Sequence, residues 1–261
     1  MNKIVIENEK IIDEKLEGIE YTFDEKKDFF GISSLTLNVN KNSNLDLKIN
    51  IPDEAKLMIN INIYENIKLN MNIITSGNIG KIQYKYNLSK NACCILEKYN
   101  YINTIREMII VNLDESSKIS YNFKSIAINK ENYDYMIYHN GVNSISDIKN
   151  NSVNEKGAVY FQISSFIPKN MIGCIANQFN RIINLTDNKC EIRPILYIDC
   201  DDVEANHSAL IDKFTKDEIF YLESKGINYE EAIKMLTKGF LLNGIKNEEI
   251  VNLINMRYGG E

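Results

Sequence analysis

Leu45-Asp-Leu-Lys-Ile-Asn-Ile51, Ile59-Asn-Ile-Asn-Ile63 and Ile67-Lys-Leu-Asn-Met-Asn-Ile73 each place an apolar side chain at every second position, with Asn, Asp or Lys between. A period of two is strand periodicity, because successive side chains leave a strand on opposite faces. One face of each segment is therefore apolar and the other polar, the pattern of half-buried strands. Leu35, Leu37 and Val39 extend it toward the N-terminus. Further strand-like segments follow at 81–87, 108–113, 119–128, 133–139, 158–164, 172–176, 182–185 and 195–198.

Short strands at this spacing predict a sandwich, a barrel or a coil of strands. More than 160 residues continue in this mode with only three prolines, Pro52, Pro168 and Pro194, which suits a repetitive coil better than a Greek key. No fixed sequence period accompanies it, so repetition alone does not establish a solenoid. After Asp212 the pattern changes to helical. Thr215-Lys-Asp-Glu218 fits a capping box opening a helix through Lys225 and closed by Gly226. Asn228 opens a second helix running to Gly244, and Asn247 a third. The chain thus divides into an N-terminal segment 1–30 with a strand at 3–6, a strand-rich core 31–212 and a helical segment 213–261.

The bulk properties exclude several classes. At 261 residues, folding buries roughly three-quarters of the unfolded chain's surface, so no disulfide scaffold is needed. Five cysteines and no cationic, apolar leader at Met1-Asn2-Lys3-Ile4 predict reduced thiols in a cytoplasm. Asn and Lys interrupt every apolar stretch, which predicts no membrane span. A net charge of −6 without a basic block argues against a nucleic-acid partner. There is no Ser/His/Asp order, Gly-rich phosphate loop or Cys-x-x-Cys spacing.

Only two histidines are present, His139 and His207. Cys190, Cys200, Glu204 and His207 fall within eighteen residues, a thiol, carboxylate and imidazole set that suits iron. The alternative is a turn after a strand in which Asp201 and Asp202 supply turn hydrogen bonds and His207 is structural. His139, beside the Asn140-Gly141 turn signal, reads as a backbone-capping histidine. Cys93 and Cys94, adjacent in a strand, face opposite sides, and Cys174 reads as core. Asp199, Asp201, Asp202 and Glu204 also leave open a carbohydrate-active β-helix enzyme with two carboxylates across a groove. A purely structural oligomerisation role is a third possibility.

The stretch His139-Asn-Gly-Val-Asn-Ser-Ile-Ser-Asp-Ile-Lys149, then Phe179-Asn-Arg181, then Asp201-Asp-Val-Glu-Ala-Asn-His-Ser-Ala209, resembles the core of the SufB/SufD family. Lys216-Asp-Glu-Ile-Phe-Tyr-Leu-Glu-Ser-Lys-Gly-Ile227 and Glu230-Glu-Ala-Ile-Lys-Met-Leu-Thr-Lys-Gly-Phe240 resemble its C-terminal helices. The resemblance covers residues 133–245 and implies a right-handed parallel β-helix of about eight rungs with a small C-terminal helical segment. It further implies a non-catalytic scaffold for iron-sulfur cluster assembly in the SUF system. Such a scaffold holds at most a transient iron-sulfur cluster and no tightly bound cofactor when isolated. A SufC-type ABC ATPase would dock on the helices, through Phe220, Tyr221, Leu222, Met235 and Phe240. A second copy or a sister subunit would pair through the β-helix. SufB-like members tend to carry Glu-His-Glu and SufD-like members Ser-His-Gly where this chain has Asn206-His207-Ser208, so a SufD-like support without its own cluster stays open.

Overall fold

The computed structural model describes residues 2–25 and 31–259. Of the N-terminal segment read as 1–30, residues 1 and 26–30 lie outside the described residues, as do 260 and 261 of the C-terminal one. Four short strands come first: β1 Asn2–Glu7, β2 Lys10–Lys15, β3 Ile19–Asp24 and β4 Ser33–Val39. Three strands of 21 residues each follow, β5 Ser43–Ile63, β6 Lys68–Leu88 and β7 Cys93–Leu113. Then come β8 Lys118–Ala127, β9 Lys130–His139, β10 Ile145–Asn154, β11 Ala158–Ile167, β12 Cys174–Asn184, β13 Glu191–Ile198 and β14 Val203–Asp212. Three helices end the chain: α1 Lys216–Glu223, α2 Tyr229–Leu242 and α3 Glu248–Tyr258.

The strands wind into a β-solenoid of about seven turns. β5, β6 and β7 stack in parallel along their full length. The ladder then forks: the first part of β7 pairs with β8 and its last part with β9. One branch continues β8-β10-β12-β14 and the other β9-β11-β13, all parallel. Only β1 with β2 and β3 with β4 run antiparallel, at the N-terminal end. Segments that sequence periodicity separates, such as 67–73 and 81–87, belong to one bent strand. At that bend Gly77 has φ 122°, and a Cβ there would lie 2.0 Å from the Ile51 carbonyl oxygen, so the crossing of two turns requires glycine.

Register places equivalent inward residues in columns along the solenoid axis. One column reads Leu45, Met71, Leu96, Tyr121, Ile148. The separation between stacked residues drifts from 24 to 26, 25, 27, 30 and 29 along the chain, which is why no fixed sequence period accompanies the repetition. Outward asparagines bond from turn to turn, as in Asn112 to Asn87 at 2.8 Å, Asn87 to Asn62 at 2.8 Å and Asn62 to Asn38 at 2.9 Å. Asn66, Asn91, Asn143 and Asn170 also take the left-handed backbone at corners, a conformation asparagine tolerates, with Ser116 at the corner between Asn91 and Asn143.

The helices form at their anticipated caps. Thr215 and Glu218 make both halves of the capping box, while Asn228 and Asn247 accept from the third residue of α2 and α3. α1 stops at Glu223, two residues before the anticipated end, and Gly226 follows at φ 86°. Leu241, Ile250 and Ile254 bury against Ile74, Tyr99, Ile126, Val153 and Ile183, fixing α2 and α3 to the side of the solenoid. No helix among the described residues is long and apolar enough to cross a membrane.

The lumen is not wholly apolar. Lys98 and Glu107 are fully buried, with Nζ 2.7 Å from Oε2 in an ion pair poorly aligned for a hydrogen bond. The Lys98 ammonium also lies 3.8 Å from the centre of the Tyr84 ring, which offers its negative face. One turn along, the buried Glu131 accepts from Ser125 Oγ at 2.7 Å, and that hydroxyl stands 2.7 Å from Ser152 Oγ. Burial pushes the Glu131 carboxyl up to about 8 and the Lys98 ammonium down to about 8, the latter opposed by Glu107.

Glu131 therefore keeps its proton in the folded state from its ordinary 4.5 up to about 8, and stability falls as pH rises through that window. Lys98 acts oppositely, adding stability between about 8 and 10.5, where only the unfolded chain still holds its proton. Glu131→Gln removes the first titration while keeping a polar partner for Ser125. Denaturant unfolding should show it on the order of 2–4 kcal/mol more stable than the native chain near pH 8 and equal to it near pH 5. An equal difference at both pH values would refute a buried, protonated Glu131.

Candidate functional site

β13 and β14 are the last turn. β13 pairs with β11 and β14 with β12, and among the described residues neither has a partner strand on its other side. Pro194 is tolerated within β13 because an edge strand needs no donor on its free side. Residues 199–208, read from sequence as a polar constellation around a turn, divide between the turn after β13 and the body of β14. The ladder of β12 makes Val203–Asp212 a strand despite its polar composition, and β10 forms in the same way beside β8.

His207 is in register with Gln178 and Gln178 with Ile148, so the imidazole continues the inward column that begins at Leu45. The column turns polar at its end. Gln178 is buried and donates to Ser165 Oγ at 2.8 Å, leaving its own side-chain oxygen without a partner. His207, one turn later, is exposed because no further turn covers it. Ile198 and Ile211 are exposed on the inward phase of this last turn, and Tyr197 and Leu210 on its outward phase, an apolar fringe along an open strand edge.

The other candidate ligands lie elsewhere on this turn. Glu204 is in register with Ile175, on the outward phase, and so leaves the strand on the face opposite His207. Cys200 occupies the turn between β13 and β14 and packs against Ile167, Cys174 and Ala176. Cys190 precedes the far end of β13, accepting from Asn154 Nδ2 at 3.3 Å. Burial raises its thiol above the usual range, and the nearby Glu131 adds to the effect. The two thiols stand at opposite ends of an eight-residue strand, about 25 Å apart at about 3.3 Å per residue, with His207 between those ends on the other sheet. Among the described residues no group of three or more His, Cys, Asp and Glu side chains is placed to hold a metal ion.

His139 is fully buried, with Nδ1 2.8 Å from Ser144 Oγ and Nε2 3.0 Å from Ser146 Oγ. Burial lowers it to about 4, so it is a neutral packing residue. Cys174 completes that network, 3.3 Å from Ser144 Oγ and donating to the Gly141 carbonyl at 3.3 Å. Cys94 is buried and Cys93 half-buried, on opposite faces of β7. The lumen charges Lys98, Glu107 and Glu131 went unread in the sequence. Their signal was available, since each occupies the apolar phase of an alternating segment, as in Cys94-Ile-Leu-Glu-Lys98 and Glu131-Asn-Tyr-Asp-Tyr135.

On the helices, Phe220, Tyr221 and Met235 are 70%, 62% and 50% exposed. Leu222 is half-buried. Phe240 packs toward the solenoid, with the Arg181 guanidinium 5.4 Å and the Lys124 ammonium 5.9 Å from its ring centre. The anticipated docking set thus divides into an outward aromatic surface and an inward anchor.

Comparison with known proteins places this geometry. Residues 100–240 match the SufBD core domain of the SUF system for FeS cluster assembly. The iron-sulfur cluster assembly protein SufD of Bacillus subtilis is 33% identical over 91 residues, 31% of this chain and 21% of that protein. SufD of Escherichia coli is 32% identical over 72 residues, 26% of this chain and 17% of the relative. A SufBD family protein of Synechocystis is 32% identical over 89 residues, 34% and 20% of the two chains. The aligned stretch thus spans about a fifth of each relative's length. The core-domain match runs through the turns that carry Cys190, Cys200 and His207 and on into the helices, and the chain belongs to the SufBD family of SUF-system iron-sulfur cluster assembly proteins.

Proposed function

We propose that this chain is a non-catalytic scaffold subunit on which an iron-sulfur cluster is assembled at the open end of the solenoid, in concert with a SufC-type ABC ATPase. The observation that carries the reading is His207, an imidazole on the inward phase of the final, uncovered turn of the family's core domain. Cys190 and Cys200 supply thiols on the same turn, but too far apart to join one shell. Ligation therefore combines His207 with a group from a second chain, either another copy or a sister subunit paired through the edges of β13 and β14. Unpaired edges and the exposed Tyr197, Leu210 and Ile211 favour that pairing. The exposed Phe220, Tyr221 and Met235 suit the ATPase, whose closure would rotate the paired scaffolds as rigid bodies. Five free cysteines suit a reducing cytoplasm.

A SufD-like support without its own cluster is the second reading. It is favoured by the Asn206 and Ser208 flanks of His207 and by the outward phase of Glu204, which together leave the imidazole without a carboxylate on its face.

His207→Ala separates the two. His207 makes no bond to another side chain among the described residues, so stability should change by less than about 1 kcal/mol. Cluster reconstitution on the ATPase complex, followed by iron and sulfide content, should fail, and normal cluster content in the variant would leave the chain as a support. Light scattering of the isolated chain should give a dimer, which Ile211→Asp dissociates by placing a charge in the apolar fringe. A strictly monomeric native chain, with and without ATPase, would contradict pairing. Phe220→Ala with Tyr221→Ala should weaken ATPase binding by about tenfold or more, since exposed aromatics are the usual anchors of an interface. Unchanged affinity would move docking elsewhere.

A further inference from the structure

The outer face of the β7-β9-β11-β13 sheet carries a cavity of about 370 Å³, on the opposite side of that sheet from the lumen. Two outward columns build it. One runs Arg106, Asn132, Tyr160, Glu191, and the next Met108, Asp134, Gln162, Arg193. Lys130 joins from the start of β9, its ammonium 5.5 Å from the centre of the Tyr160 ring.

What sets this cavity apart is its unspent bonding capacity. Elsewhere on the same face, in-register asparagines bond one another from turn to turn, Asn38 through Asn62 and Asn87 to Asn112. In the cavity, the register sets a guanidinium, an amide and a phenol side by side, and no such ladder forms. The side chains of Arg106, Asn132 and Gln162 have no hydrogen-bond or ion-pair partner among the described residues. Asp134 Oδ1 is buried and likewise without a partner. Of the carboxylates present, Glu191 is engaged by Arg193, and Glu107 is paired within the lumen with Lys98. Arg106 and Lys130 have no ion-pair partner among the described residues, and Asp134 is the unengaged carboxylate beside them.

We propose that this cavity binds a small hydroxylated phosphate of mononucleotide or sugar-phosphate size. Arg106 and Lys130 take the phosphate, Asp134 accepts from a ligand hydroxyl, and Asn132 and Gln162 bond its remaining polar edge. An unpaired carboxylate beside two free cations would repel a bare anion as much as it helps, but it complements a ligand that brings both a phosphate and donors. Tyr160 and Met108, both in the lining, offer apolar surface on which a ring can rest. The volume falls in the range of small-molecule sites. This site does not rest on the cluster-assembly reading, since it contains neither His207 nor a cysteine, though Glu191 and Arg193 belong to β13, whose free edge that reading uses.

The test is calorimetric titration of the full chain with AMP, glucose 6-phosphate and inorganic phosphate. Saturable binding of AMP or of the sugar phosphate is expected with Kd on the order of 0.1–1 mM, tighter than inorganic phosphate. Which probe binds distinguishes a nucleotide from a sugar phosphate. Arg106→Gln and Lys130→Gln should each weaken it about fivefold or more, since both lose a charge-assisted bond. Asp134→Asn should weaken the hydroxylated probes but not inorganic phosphate. Thermal melting of each variant checks the fold, and because two separate cations are tested, failure of one variant to fold leaves the other decisive. No saturation by about 10 mM for either hydroxylated probe overturns the proposal. So does undiminished binding in the folded cation variants, or inorganic phosphate binding as tightly as the larger probes.

Discussion

Every turn of this protein depends on the backbone ladder that joins it in parallel register to the next. A single turn of some 25 residues cannot bury its inward side chains alone, and only stacking closes the core above and below them. Register is thereby fixed strongly, because a slip of one residue would turn Leu45, Met71, Leu96 and Tyr121 out of the lumen together. The same constraint acts on the outside. Asparagines that would be indifferent on an isolated strand fall opposite one another and bond, so the abundance of Asn is in part a ladder and in part a set of left-handed corners.

A stack has two ends, and this one treats them differently. At the N-terminal end the chain reverses, and β2 and β3 lie antiparallel to β1 and β4 with Asp13, Glu14, Lys15 and Glu20 on them, charges that discourage further strand addition. At the C-terminal end β13 and β14 simply stop, leaving apolar side chains and an imidazole in phases that belong to the core in every earlier turn. The end that is left unfinished is the end within the family's core domain.

Legibility in the sequence follows the same physics. Strands whose two faces differ sharply, from Leu35 to Ile73, are readable from alternation, and the helix starts are readable because a cap is a local bond made by Thr215, Asn228 or Asn247. β10 and β14 are not, because Asn150, Asn151, Ser152, Asn154, Asn206, His207 and Ser208 blur their period and a neighbouring strand supplies their conformation. The drift in turn length hides the repeat for a similar reason: corners absorb extra residues without disturbing the columns. For the candidate site, His207, Cys190, Cys200 and Glu204 are identifiable as residue types within a short window, but closeness in sequence is poor evidence of closeness in space on a strand. Eight extended residues separate the thiols, and one unit of parity puts Glu204 and His207 on opposite faces.

That geometry has a consequence for where chemistry can occur. A helix brings residues three and four apart together, so a single helix can present a ligand set, whereas a strand sets the same residues about 10–13 Å apart and alternates their direction. A solenoid gathers side chains along its columns, one from each turn, and across the lumen, as Gln178 meets Ser165; the column ending at His207 offers no second metal ligand, since Gln178 and then Ile148 lie behind it. Behind the imidazole stands an amide, and its open side is the one from which a further ligand can approach. A multi-ligand centre using it would, on the proposed reading, draw its other ligands from a second molecule at the same exposed edge that carries His207.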